Sequence, residues 1–150
     1  VNSLQFSAAG LALLKFSEGF RAATYLDVAG IPTIGYGHRI MPGEKFPLGV
    51  TETEASGILS ADVISAEKAV LRLVRVPLTQ GQFDGLVDFT YNLGAGKLGS
   101  STLLTDLNSG QYSAAALQLL RWDHSGSKQL AALTARRKAE FALWQGSAAA

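Results

Sequence analysis

The stretch 52–76 carries a helical pattern closed at both ends, and the rest of the chain must be arranged around it. Thr51-Glu52-Thr53-Glu54 opens it as a capping box. In that motif the hydroxyl takes the amide three residues on, and the carboxylate reaches back to the first. Ile58, Leu59, Val63, Ala66, Val70, Leu73 and Val74 recur mostly at three- and four-residue intervals, while Asp62, Glu67, Lys68 and Arg72 dilute the apolar character. Pro77 has no amide to continue the ladder and ends the run. At about 1.5 Å per residue such a helix is about 35 Å long, enough to span two lobes.

Shorter patterns flank it. Ser7 caps a predicted helix over 7–18 with Leu11, Leu14 and Phe16 among its buried positions, and Gly19 stops it. Residues 23–28 (ATYLDV) and 32–38 (PTIGYGH) flank Ala29-Gly30 and read as a β-hairpin, with a third strand or an irregular arm in 44–50. After the long helix, Thr79 and Gln82 form a second capping box. Phe83, Leu86, Val87 and Tyr91 then mark one face of a helix ending at Gly94. Further helices are predicted at 101–108, 113–122, 127–132 and 134–145. One small sheet near the front and helices elsewhere make an α+β, mostly helical chain.

Composition excludes several classes. With 47% hydrophobic and 17% charged residues in 150, the chain can bury a real core. A net charge of +1 predicts no nucleic-acid partner. Cysteine is absent, and His38 and His124 stand far apart, so no metal and no other cofactor is expected. No run reaches the ~18 apolar residues of a membrane span. The first twenty residues lack a basic leader region and read as an amphipathic helix rather than a signal. In RRKAEFALWQG, Phe141 and Trp144 read as core anchors, so stable membrane insertion is not expected.

The chemistry concentrates in EGFRAATYLDVAGIPTIGYGH, residues 18–38. If Val28–Pro32 form a five-residue connection, Asp27 and Thr33 face each other across the hairpin, and a water fits between carboxylate and hydroxyl. Glu18 ends a helix, where the negative end of the dipole and any burial disfavour its carboxylate form; a nearby cation would oppose both. One protonated acid and one ionised acid are what glycosidic hydrolysis uses. Spacing alone leaves a solvated glutamate beside an ordinary glycine-rich hairpin as an open alternative.

The same segment resembles the catalytic stretch of phage-type lysozymes, glycoside hydrolase family 24, whose hallmark Glu-x8-Asp-x5-Thr is met by Glu18, Asp27 and Thr33. TETEASGILSADV, VPLTQGQFDGLVDFTYNLG, SSTLLTDLNSG, RWDHSG and LTARRKAE extend the resemblance in order, most closely to endolysins of lambdoid-type phages. It implies a single two-lobed domain over 1–150. A sheet lobe of about 19–50 and a helical lobe of about 77–146, joined by the first helix 7–18, are linked by 52–76. It further implies a monomeric muramidase that cuts peptidoglycan between N-acetylmuramic acid and N-acetylglucosamine, for bacterial lysis. Glu18 would protonate the glycosidic oxygen, while Asp27 and Thr33 direct water to the opposite ring face, by inversion. Inverting enzymes keep their carboxyls ~6.5–9.5 Å apart, retaining ones ~5–5.5 Å.

By the same resemblance Tyr91 and Asn92 belong to the sugar-binding wall, and Arg136 reaches Glu18. His38 forms a structural pair with Asp62, its folded pKa raised. The enzyme would wait in the host cytoplasm until a holin releases it to the cell wall. Ala132-Leu133 and Asp123 depart from the Gly-Leu and Asn common among relatives. Two other readings compete: a wall-binding protein without catalysis, and a chitinase-like glycosidase.

Overall fold

In a computed structural model, described over residues 4–146, four helices start where a Ser or Thr side chain satisfies a free amide of the first turn. The order is α1 (Ala8–Glu18), β1 (Arg21–Leu26), β2 (Pro32–Gly35), β3 (His38–Arg39), α2 (Glu52–Leu73), α3 (Gln80–Leu93), α4 (Ala95–Gly99), α5 (Thr102–Asn108), α6 (Tyr112–Leu119), β4 (His124–Ser125), β5 (Lys128–Gln129) and α7 (Ala131–Trp144). Both capping boxes form, Thr51 with Glu54 on α2 and Thr79 with Gln82 on α3. Ser7 caps α1, and its hydroxyl also hydrogen-bonds the Asp84 carboxylate, tying α1 to α3. No helix among the described residues is long and apolar enough to cross a membrane. The chain is α+β and mostly helical, with one long helix and a small antiparallel sheet.

Helix α3 is the centre. Every residue from Phe83 to Thr90 is buried, as befits a helix enclosed on all sides. It packs on α7, α2 and α1. Two glycines let α7 approach closely: a Cβ on Gly81 would stand 2.0 Å from the Leu143 carbonyl oxygen, and one on Gly85 3.1 Å from that of Glu140. This approach brings the polar residues of α7 against α3.

The sheet runs β1-β2-β3 and rests on α2 through β2, where Ile34 is fully buried and the α-carbon of Gly35 faces Ala55. Tyr36 donates to Glu52 Oε2 at 2.8 Å, and Tyr91 of α3 donates to the Tyr36 carbonyl at 2.9 Å. The glutamate that ends α1 is thus flanked by sheet, α2 and α3.

Three expectations need correction, and one alternative is decided. Phe16 is 89% exposed while Leu14 is fully buried, because two residues along a helix turn the side chain about 200° away. The third strand is His38–Arg39, so that of the two alternatives for 44–50 the irregular arm holds and the strand does not. Helix α2 stops at Leu73 rather than at 76: Asn108 accepts from the Arg75 amide and donates to the Leu73 carbonyl, capping the end. Residues 127–132 are not a separate helix. Gly126, at φ 63°, turns a β4–β5 hairpin, and the Asp123 carboxylate fastens it by accepting from Gln129 and from Thr134 of α7.

Candidate active site

The hairpin's register decides how Asp27 and Thr33 meet. Thr33 pairs with Tyr25 and Leu26 with Pro32, so the connection runs over 27–31 rather than 28–32 and Thr33 does not face Asp27 directly. The two are diagonal neighbours on one sheet face. The Asp27 carboxylate is the reason: its Oδ1 accepts from the Ala29 and Ile31 amides at 2.8 and 2.9 Å, folding the turn around itself. Gly30, at φ 79°, completes the turn. Asp27 Oδ2 is left toward the open side, with Arg39 Nε at 3.8 Å. Thr33 is buried, and its hydroxyl donates to the Ile31 carbonyl at 2.8 Å. Its proton is therefore committed, and its lone pairs remain free to accept.

Glu18 is held differently. Its Oε2 accepts from Arg136 Nη1 at 2.7 Å, in an ion pair spanning 118 positions of sequence. Its Oε1 lies against Gly37, where a Cβ would come within 2.6 Å of the oxygen. Gly37, at φ 75°, is thus required both by backbone conformation and by the carboxyl beside it.

Behind Arg136 stands a buried polar cluster. Asp88 accepts from Arg136 Nε and Nη2, both at 2.9 Å. Arg137 donates to Glu140 Oε2 and to Asn92 Oδ1, each at 2.8 Å, with its guanidinium over the Phe89 ring. Asp88 and Glu140 are both fully buried. Burial works against the Asp88 carboxylate, but contact with the Glu140 carboxyl and with Arg136 outweighs it, so its pKa falls below the ordinary aspartate value. Burial and the neighbouring Asp88 push Glu140 far above the glutamate range. Arg136 gives up solvation by burial yet is held more firmly protonated than a free arginine by Asp88 and Glu18.

A cleft of about 630 Å³ opens onto these groups. Glu18, Asp27, Thr33, His38, Asp62, Tyr91 and Asn92 all line it, together with Tyr25 and Gly37. Arg136 does not line it and reaches it only through Glu18. Burial, then the charge of Glu18, raises the pKa of the Tyr91 phenol, which stays neutral. His38 Nδ1 lies 2.7 Å from Asp62 Oδ2 and Nε2 2.9 Å from Glu44 Oε1. Burial lowers the His38 pKa, but these two carboxylates more than reverse it, leaving the imidazole above its usual value.

Sequence reasoning gave Tyr25 no part in the site and missed Asp88 and Glu140. Tyr25 carries a local signal, two residues before Asp27 on the same strand face, with Arg21 stacked 4.3 Å over its ring. The buried cluster has none, since its members are joined across helices.

The phage lysozyme family model matches residues 15–140. The endolysin of Salmonella phage P22 is 40% identical over 144 residues, covering 94% of this chain and 98% of that protein. The endolysin of Bacillus phage B103 is 41% identical over 94% of this chain, which spans only 54% of that longer relative. Among solved structures, an endolysin from Escherichia coli O157:H7 phage FAHEc1 superposes with a TM-score of 0.86 at 35% identity, covering 97% of this chain and 96% of its own. With this match in sequence and in fold, the chain belongs to the phage lysozyme family.

Proposed function

We propose that the protein is a peptidoglycan-hydrolysing muramidase, an endolysin, cutting the β-1,4 bond between N-acetylmuramic acid and N-acetylglucosamine. The supporting observation is that Glu18, Asp27 and Thr33 line one cleft while being held in three unlike ways. Glu18, with Oε2 occupied by Arg136, carries its proton on Oε1 and gives it to the glycosidic oxygen as the bond to the muramic C1 breaks. The Asp27 carboxylate stabilises the positive charge that develops on the ring. Water then adds to C1 from the face opposite the departing sugar. One of its protons goes to Asp27 Oδ2, the other is directed at the free lone pairs of Thr33, and the product inverts. Solvent returns the proton from Asp27 to Glu18.

Tyr91 and Asn92 form the sugar wall. Tyr91 spends its hydroxyl on Tyr36, so it offers its ring. Asn92 Oδ1 is taken by Arg137, which leaves its amide NH₂ to a sugar carbonyl or hydroxyl. His38 and Asp62 shape the same wall as a structural pair. By likeness to the endolysins, we place the enzyme as a monomer in the host cytoplasm until a holin opens the membrane. Co-expression decides that part: lysis should follow with the holin and not without it.

Clearing of purified wall sacculi tests the activity. The wild type should clear them and should act poorly on chitin. Glu18→Gln should lose ~10²–10⁴-fold, the usual worth of a general acid. Undiminished clearing by that variant would overturn the assignment.

A further inference from the structure

The pair Asp88–Glu140 lies outside the cleft, touches no substrate in the proposed reaction, and is fully buried. Glu140 Oε2 accepts from Arg137, but Oε1 has no donor within reach among the described residues. Its hydrogen-bonding neighbour is the Asp88 carboxyl, which already accepts from two Arg136 nitrogens. Two ionised carboxylates are acceptors only and cannot bond to each other, so one of them must carry a proton. Asp88, with both oxygens on a guanidinium, is the better anion. We propose that Glu140 is held neutral and donates its proton to Asp88, and that this buried pair positions Arg136 and fixes the charge that Glu18 meets there.

The surrounding groups support the assignment. The charged groups facing Glu140 are Asp88 from α3 and Arg136 and Arg137 from its own helix; Glu18 of α1 joins through Arg136. Helix α6, also packed on α7, has the sequence YSAAALQL and brings no charge. With Glu140 ionised, it and Asp88 would be two adjoining carboxylates, both fully buried, which burial penalises; a neutral Glu140 removes that cost. The direction of the Glu140 shift agrees with this. Arg136 then divides its donors between Asp88 and Glu18, so Asp88 limits how tightly the guanidinium grips the catalytic acid. Glu140 and Asp88 are positioning residues for that acid, a role that rests on Glu18 as the proton donor.

Infrared difference spectra and pH–rate profiles test this. At neutral pH the wild type should show a carbonyl band of a protonated carboxylic acid that Glu18→Gln keeps and Glu140→Gln loses. Because glutamine preserves a neutral donor to Asp88, that variant should keep the alkaline limb of the wild-type kcat profile. Asp88→Asn leaves Glu18 as the only carboxylate on Arg136. Its alkaline limb should move down by about one pH unit, with kcat near neutrality reduced ~10-fold. An absent band, or an alkaline limb moved as far by Glu140→Gln as by Asp88→Asn, would overturn the proposal. The band requires no turnover, so a failure of the Glu18 assignment in wall clearing remains distinguishable from a failure here.

Discussion

The two acids of the cleft are held by opposite means. Asp27 finds its partners within four residues, in the amides of Ala29 and Ile31. Glu18 finds its partner 118 positions away, and Arg136 is fixed in turn by Asp88 on a third helix. In the proposed reaction, the base is served by backbone amides, which cannot move or titrate. The acid, which would give up and regain a proton, is set in a side-chain network, whose charge can be tuned. On that reading local structure makes one half of the chemistry, and the packed helical core makes the other.

Breaking the long-range half should cost the most stability. Arg136→Leu leaves the Asp88 carboxylate buried without its guanidinium, and unfolding free energy should drop by about 3–5 kcal/mol, read from denaturant midpoints. Asp27→Asn touches only the local half. The amide oxygen still accepts both backbone bonds, so stability should stay within about 0.5 kcal/mol. Wall clearing should nevertheless fall ~100-fold or more with the loss of the water's proton acceptor. If Asp27→Asn destabilised the protein as much as Arg136→Leu, the contrast between the two holds would disappear.

Smaller changes sharpen it. Gly81→Ala sets a methyl against the Leu143 carbonyl and pries α3 from α7, the contact that brings Asp88 to Arg136. A loss of about 1–3 kcal/mol is expected, visible as a lower Tm. Calorimetry at several pH values checks the smallest effect, the His38–Asp62 pair. Because the folded pKa of His38 is raised, its stabilisation is complete below the unfolded value near 6.5 and fades as pH rises through the folded one. The stability gap between wild type and Asp62→Asn should be about 1–2 kcal/mol at low pH and shrink toward alkaline pH. A gap that grows with pH would reverse the sign.

What could be read from the sequence follows the same division. The capping boxes of α2 and α3 and the stops at Gly19 and Gly94 are local, and the structure has them where the residues lie. The hairpin was legible as a hairpin, but its register was not. A connection placed at 28–32 ignores the two amides that Asp27 gathers, and those draw Asp27 into the turn, which runs over 27–31. The end of α2 depends on Asn108, and the β4–β5 hairpin on Asp123 bonding to Gln129 and Thr134, contacts that no periodicity encodes. The Asp88–Arg136–Glu18 chain crosses three helices. Arg136 entered only through a resemblance, and Asp88 and Glu140 did not enter at all.

The most direct test of the water-directing hairpin is the configuration of the first product. Proton NMR on a wall oligosaccharide, recorded before mutarotation, should show the new reducing end as the α-anomer, because water arrives from the Asp27–Thr33 side opposite Glu18. A β-anomeric first product would contradict it.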